Sequence, residues 1–197
     1  MSKDSFVSAC GAGHKTFTKL RQRTHMKQTI LVTGGTGFIG SHTSVELIEA
    51  GYDVVIIDNL SNSKIEVVDG IEKITGVRPA FEQVDLRDKD STEAVFKKYP
   101  GIVGIIHFAA SKAVGESVQL PLLYYRNNVV SLINLLELMP DYGVTGFIFS
   151  SSCTVYGQPK PENLPVTEDA PHQKATSPYG NTKEINEQII YDYIHSG

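Results

Sequence analysis

Short runs of continuous apolar residues alternate along this chain with longer stretches in which apolar positions recur every three or four residues. Residues 29–33 (TILVT) form the first run, and residues 38–50 the first amphipathic stretch, closed by Gly51. The first has the length and composition of a buried strand; the second predicts a helix with glycine just past its end. The pattern then repeats. Residues 53–58 (DVVIID) predict a strand, residues 64–75 a helix with Ile65, Val68 and Ile71 at three-residue spacing, and residues 80–85 (AFEQVD) a third strand. Asp90, followed three residues later by Glu93, has the form of a capping box and predicts a short helix running to Lys98. Residues 104–108 (GIIHF) and 146–150 (GFIFS) predict two more strands, with a long helix over about residues 124–139 between them. Ser177 as N-cap and Pro178 at the first helical position predict the start of a last helix.

Strands alternating with helices at this spacing imply βαβ units, right-handed crossovers and a parallel sheet. The strands lack polar alternation, as strands covered on both faces do. The expected fold class is therefore α/β, a doubly wound parallel sheet. On such sheets a ligand sits beyond the carboxyl ends of the strands.

The composition narrows the possible functions. The chain has 197 residues, 41% of them hydrophobic, enough for a single domain with a sizeable core. A net charge of −4 offers no basic surface for nucleic acid and no attraction to an acidic membrane. No apolar run approaches the roughly 20 residues that a spanning helix needs. Cys10 and Cys153 make neither a zinc-ligand spacing nor a disulfide framework, so a reducing cytoplasm is expected. Residues 1–25 carry five basic side chains against Asp4 alone and show no periodicity. They are expected to be a disordered leader upstream of a natural start at Met26, with residues 26–197 as the folded domain. The leader's charge of +4 leaves −8 for the rest.

The chemistry begins at the end of the first strand, in TGGTGFIG. Gly34, Gly37 and Gly40 stand three apart between strand and helix. Glycine there allows unusual φ values and close backbone approach to a pyrophosphate, which the free amides and positive dipole of the following helix attract. Asp58 ends the second strand 24 residues after Gly34, where a dinucleotide fold places a carboxylate on the adenosine ribose. A carboxylate there repels a 2′-phosphate, which favours NAD over NADP. Asp58 could instead cap the loop DNLSNS. In SPYGNTK, Tyr179 and Lys183 are four residues apart, so on a helix they share one face.

GxxGxxG together with Tyr179 and Lys183 resembles the extended short-chain dehydrogenase/reductase superfamily. HFAASKAVGES, SSSCTVYG and SPYGNTK resemble, within it, the UDP-glucose 4-epimerase family, from about Met26 to the last residue. The resemblance implies a Rossmann-like, NAD-binding domain. It gives Phe38 and Ile39 backbone contacts to the pyrophosphate. Asp58, with Asn59, Leu60, Ser61, Asn62 and Ser63, would hold the adenosine ribose, and Asp85 and Leu86 would border the adenine. Phe108, Ala109, Ala110, Ser111 and Lys112 would lie along the cofactor, and Asn127 would contact it. Ser152, Tyr179 and Lys183 are the implied catalytic trio, with Ser152 and Tyr179 on the sugar, and Tyr179 and Lys183 also on the cofactor, where Lys183 would bind the nicotinamide ribose.

In this family a tyrosinate takes the C4 hydroxyl proton while hydride passes to NAD, and the 4-keto sugar turns over before the hydride returns. A free tyrosine, near pKa 10, is a poor base at neutral pH, and a neighbouring ammonium favours its phenolate. The resemblance also implies a UDP-sugar substrate, a place in galactose metabolism, a homodimer built on two helices per subunit, and a substrate lobe beyond Gly197. The chain alone is therefore expected to be poorly active.

Other readings compete. A 4,6-dehydratase would want an acid pair after the serine or threonine, where this chain has Cys153 and Thr154. A decarboxylase or another nucleotide-sugar epimerase stays open, as does a non-catalytic NAD-binding module, which would have no use for the trio. Cys153 is expected to be a small buried filler and His107 a packed strand histidine.

Overall fold

Each predicted strand run becomes a strand of one sheet: β1 (Thr29–Thr33), β2 (Asp53–Asp58), β3 (Ala80–Gln83), β4 (Ile102–His107) and β5 (Gly146–Phe149). The computed structural model describes residues 27–196; the expectation for residues 1–25 falls outside them. All pairings are parallel, and the strand order is β3-β2-β1-β4-β5. The chain builds outward from β1 in one direction, then crosses back to build β4 and β5 in the other. The sequence order thus reverses on either side of β1, and a ligand crevice opens at that point.

Alternate side chains along the strands face opposite helical layers. Leu31, Val55, Ile57 and Ile105 pack with Val95 and Phe96 of α3 (Lys89–Lys98) and with Leu132 and Leu135 of α5 (Pro121–Leu138). Val32, Val54 and Ile56 pack with Ile48 of α1 (Phe38–Glu49) and Ile71 of α2 (Glu66–Thr75). Ile189 and Ile190 of α6 (Pro178–His195) join the first layer. Each such side chain fully buried contributes about 1.5–3 kcal/mol. Among the described residues no helix is long and apolar enough to cross a membrane.

The predicted elements are all present, with shifted ends. α1 stops at Glu49, with Ala50 as its cap, and Gly76 ends α2 in the left-handed conformation at φ 72. The expected capping box at Asp90 is not the start of α3. Asp88 is its N-cap, accepting from the Ser91 amide at 3.1 Å and the Ser91 hydroxyl at 2.6 Å, which leaves Asp90 inside the first turn. A further helix, α4 (Val114–Gln119), is one that periodicity missed. Six residues give too few turns to show a stripe, and only Leu120 separates it from α5, which opens on Pro121.

Candidate functional site

Strand register sets Thr33 beside Ile57 and His107, and His107 beside Phe149, so four strands end together. Each of the loops leaving them carries part of the predicted site.

The first loop is the glycine turn. Gly34 has φ +66 and donates its amide across to Ile57 O at 2.8 Å. A Cβ on it would stand 2.8 Å from Ala109 N and 2.9 Å from Ala109 Cα. Both the backbone conformation and the approach of the loop after β4 therefore demand glycine. Gly37 is the N-cap of α1, and the first intrahelical bond runs from the Ser41 amide to Gly37 O at 2.9 Å. The amides of Phe38, Ile39 and Gly40 thus have no acceptor within the helix, and they sit at the positive end of its dipole. Gly40 is buried, while the side chains of Phe38 and Ile39 stand out at 77% and 59% exposure.

Asp58 caps its loop, the first of the two roles that its position allows. Its Oδ1 accepts from the Leu60 amide at 2.9 Å and from Ser63 Oγ at 3.0 Å, which caps the loop of residues 59–63. Asn59 Oδ1 tightens that loop by accepting from the Ser61 amide, and Leu60 takes φ 57. Asp58 Oδ2 accepts only the Thr36 amide, at 3.3 Å, so it ties the loop to the glycine turn and keeps acceptor capacity. A ribose hydroxyl fits that oxygen.

At the end of β3, Asp85 is clasped by Arg87 through Nε–Oδ1 at 2.9 Å and Nη2–Oδ2 at 2.5 Å. The guanidinium holds its carboxyl below the usual carboxylate range. Leu86 turns into the core, and its carbonyl accepts from Asn134 Nδ2 at 2.8 Å.

The loop after β4 is anchored on both sides. The Phe108 and Ala109 amides donate to Thr33 O and Thr33 Oγ1 at 3.1 and 3.3 Å. The Ser111 amide donates to Asn128 Oδ1 at 2.8 Å, and Asn127 Nδ2 donates to Ser111 Oγ at 3.0 Å. Ala110 is half-buried and Lys112 exposed. His107 beneath the loop is the packed strand histidine expected of it, bonded to Thr33 Oγ1 at 2.7 Å. Burial, with the Lys183 charge nearby, lowers its pKa to about 3, so it stays neutral.

β5 leads into the serines. Ser152 caps the 3-10 turn Cys153–Tyr156, accepting from the Thr154 amide at 3.3 Å and from Thr154 Oγ1 at 3.0 Å. Cys153 corrects an expectation: it is exposed, because the turn swings its side chain away from the sheet.

α6 opens as the Ser-Pro pair predicts, with Ser177 Oγ accepting from the Gly180 amide at 3.1 Å. Tyr179 is half-buried and Lys183, one turn on, is 4% exposed. Lys183 Nζ donates to Ser150 O at 2.6 Å and lies 4.6 Å from the Phe149 ring centroid. A Cβ on Gly180 would stand 3.1 Å from Ala175 Cβ and 3.2 Å from Thr154 Cβ. Its bare backbone is what lets the helix carrying Tyr179 close on the turn capped by Ser152.

Burial lowers the Lys183 pKa from 10.5 to about 8. Between those values the unfolded chain binds the proton more readily than the folded one, so stability falls as pH drops from about 10.5 to 8. Below pH 8 the charged, buried ammonium costs up to about 3 kcal/mol. Lys183→Met is expected to raise the melting midpoint of the ligand-free chain at pH 7 and to flatten its dependence on pH between 8 and 10.5. Thermal melts across that range check it; a variant that melts lower at pH 7 contradicts it.

Thr33, Asn128, Thr182 and Gly180 hold this site together, and the sequence reading missed all four. The asparagine pair Asn127–Asn128 within the long amphipathic stretch was the available signal for Asn128, and Gly180 directly after Tyr179 was the signal for close approach. The glycine turn, Asp58 and the loop after β4 border one another at the carboxyl ends of the strands. Beside them α6, with Tyr179 and Lys183, packs on the turn capped by Ser152.

Comparison with known proteins places the chain among relatives of one kind. A family model described as GDP-mannose 4,6 dehydratase matches residues 31–197. UDP-glucose 4-epimerase uge1 of Schizosaccharomyces pombe is 55% identical over 166 residues, 83% of this chain and 46% of the relative. UDP-glucose 4-epimerase of Bacillus subtilis is 52% identical over 163 residues, 83% of this chain and 47% of the relative. The crystal structure of UDP-glucose 4-epimerase from Bifidobacterium longum in complex with NAD+ and UDP superposes with a TM-score of 0.81 at 47% identity, covering 86% of this chain and 49% of that one. The chain spans about half the length of the curated relatives it matches.

Proposed function

The chain belongs to the GDP-mannose 4,6 dehydratase family, and on that premise we propose that it forms the NAD-binding and catalytic half of a UDP-glucose 4-epimerase. The observation that carries this reading is the convergence of the Ser152 turn with the Tyr179–Lys183 face of α6, beside the groove made by the glycine turn and Asp58. The relatives support it, being UDP-glucose 4-epimerases at about half identity. A dehydratase is disfavoured by the same turn: Cys153 and Thr154 follow Ser152 and supply no carboxylate for elimination.

The residues divide the work. The amides of Phe38, Ile39 and Gly40 hold a pyrophosphate, Asp58 Oδ2 a ribose, and residues 108–112 with Asn127 line the path between. Bound NAD supplies a hydride acceptor that is regenerated in each cycle. Tyr179 Oη removes the proton of the C4 hydroxyl and later returns it. Ser152 Oγ, which accepts from Thr154, has its own hydrogen free to donate to the C4 oxygen. Lys183 brings positive charge to the phenol's side of the helix and fixes α6 to Ser150 at the end of β5.

Assaying UDP-galactose conversion by the whole protein, with no NAD added beyond what it holds, tests the proposal. UDP-glucose is expected to form without net consumption of NAD. Stoichiometric NADH formation, or no conversion, would refute it. Because the match covers half of each relative, the 197-residue chain alone is expected to turn over slowly.

The same reading places the whole protein in galactose metabolism in the cytoplasm, as a homodimer. α5 and α6 support the dimer by presenting a mostly apolar cleft lined by Leu122, Tyr125, Val129, Val130 and Ile185 together with Arg126, with Leu122 79% exposed. Sedimentation of the whole protein should show a dimer, and Leu122→Glu should shift it toward monomer; a monomer throughout would count against this arrangement.

A further inference from the structure

The start of α4 is held by a side chain from another helix. α4 has six residues, and its N-cap, Ala113, has no side chain that can cap it. So short a helix leaves most of its backbone groups without partners inside it, and its start needs an outside hold. Glu116 stands at the third helical position, where a glutamate ordinarily reaches back to the N-cap amide. Here a phenol is inserted between the two. The Ala113 amide donates to Tyr124 Oη at 3.1 Å, and that hydroxyl donates to Glu116 Oε2 at 2.5 Å. Tyr124, on α5, is fully buried, and Glu116 is exposed. Burial, with Glu116 beside it, raises the pKa of the phenol from 10 to about 12, so it keeps the hydrogen that it donates.

A phenylalanine at position 124 would fill the same space with no hydroxyl to satisfy. What the oxygen supplies is a fixed relation between α5 and the first turn of α4. The residue next to that turn is Lys112, exposed, at the end of the loop after β4. Its charge sits on a flexible four-carbon stem, so the position of its backbone decides what the ammonium can reach.

We propose that Tyr124 and Glu116 are positioning residues, which hold the backbone at Lys112 and Ala113 and so aim the Lys112 ammonium along the path of the cofactor. This rests on the function proposed above for that site. The Tyr124 hydroxyl and the Glu116 carboxylate act only through Lys112.

Hydrogen exchange and NAD titration of the 197-residue chain test it. Tyr124→Phe keeps the ring and removes both contacts of the hydroxyl. In the ligand-free chain this change is expected to speed exchange of the Ala113 amide about tenfold or more. Glu116→Leu should speed it as well, and Glu116→Gln, which keeps an acceptor oxygen for the phenol, should restore the slow rate. Unchanged Ala113 exchange in Tyr124→Phe overturns the proposal. Tyr124→Phe is also expected to weaken NAD binding about fivefold. Placed in a Lys112→Ala chain, the same change is expected to alter affinity by less than about twofold, because the group it aims is gone. Unaltered affinity in Tyr124→Phe, or a full fivefold loss in the Lys112→Ala chain, overturns the proposal and leaves the tyrosine a support of the fold alone. If the unaltered chain takes up no NAD at all, the function proposed for the site fails. The exchange result then decides by itself whether Tyr124 and Glu116 hold this backbone.

Discussion

Tyr179→Phe is expected to slow interconversion of UDP-galactose and UDP-glucose by the whole protein about a thousandfold, the usual worth of a positioned proton-transfer group. Phenylalanine keeps the ring and the half-buried packing at the start of α6. The contact from Thr182 goes to the backbone carbonyl of residue 179, so the substitution leaves it in place. Lys183 still bridges to Ser150 O. What disappears is the phenolic oxygen, and Ser152 does not replace it. The Ser152 hydroxyl is an alcohol that already accepts from Thr154, so it can relay a proton but is far too weak a base to begin the transfer. NAD affinity should fall far less than the rate. Initial rates from coupled assays of both proteins decide the matter. A variant retaining a tenth of the rate would show that the proton leaves by another route.

Gly34→Val is expected to abolish NAD binding, lowering affinity at least about a hundredfold. The position has φ +66, which costs a β-branched residue roughly 1–3 kcal/mol before any contact is counted. Its Cβ would also lie 2.8 Å from Ala109 N, so the loop after β4 must retreat and the crevice loses its shape. Gly51→Ala separates the two effects. Gly51 has φ +93, but a Cβ there meets nothing within 4 Å, and it lies at the far end of α1. That variant should lose about 1 kcal/mol of stability and bind NAD normally. Calorimetric titration and thermal melts of both variants provide the readout. Equal NAD affinity in wild type and Gly34→Val would remove the glycine turn from the site.

The architecture was legible in the sequence because strand and helix periods differ and because glycine and serine punctuate them. TILVT, DVVIID and the Ser-Pro pair at residues 177–178 each became the element they predict. The misses have local causes. Asp88 and Asp90 are both plausible caps, and only backbone geometry selects the one whose carboxylate reaches the Ser91 amide. Cys153 reads as a filler from composition, but its exposure depends on the 3-10 turn capped by Ser152. The site's chemistry was legible as residue types at strand ends. Its support was not: Asn128 meets Ser111 and Thr182 across 17 and 54 residues of sequence, and no local pattern encodes such a meeting. The partner of Lys183 was hidden in the same way, 33 residues upstream on a backbone carbonyl.

The placement of β1 at the centre of the sheet has a further consequence, for how the protein is made. Its neighbour on one side begins within the next two dozen residues, but its neighbour on the other arrives only after 74, the separation between Thr33 and His107. A ribosome therefore delivers β1, β2 and β3 well before β4, and the nascent half-sheet waits with one flank of β1 unsealed. Loop-closure entropy makes that late pairing slow, and a naked flank invites association with other chains. The glycine turn gains its ceiling, the backbone of Phe108 and Ala109, only when β4 docks, so competence to hold a nucleotide should be acquired late in biogenesis.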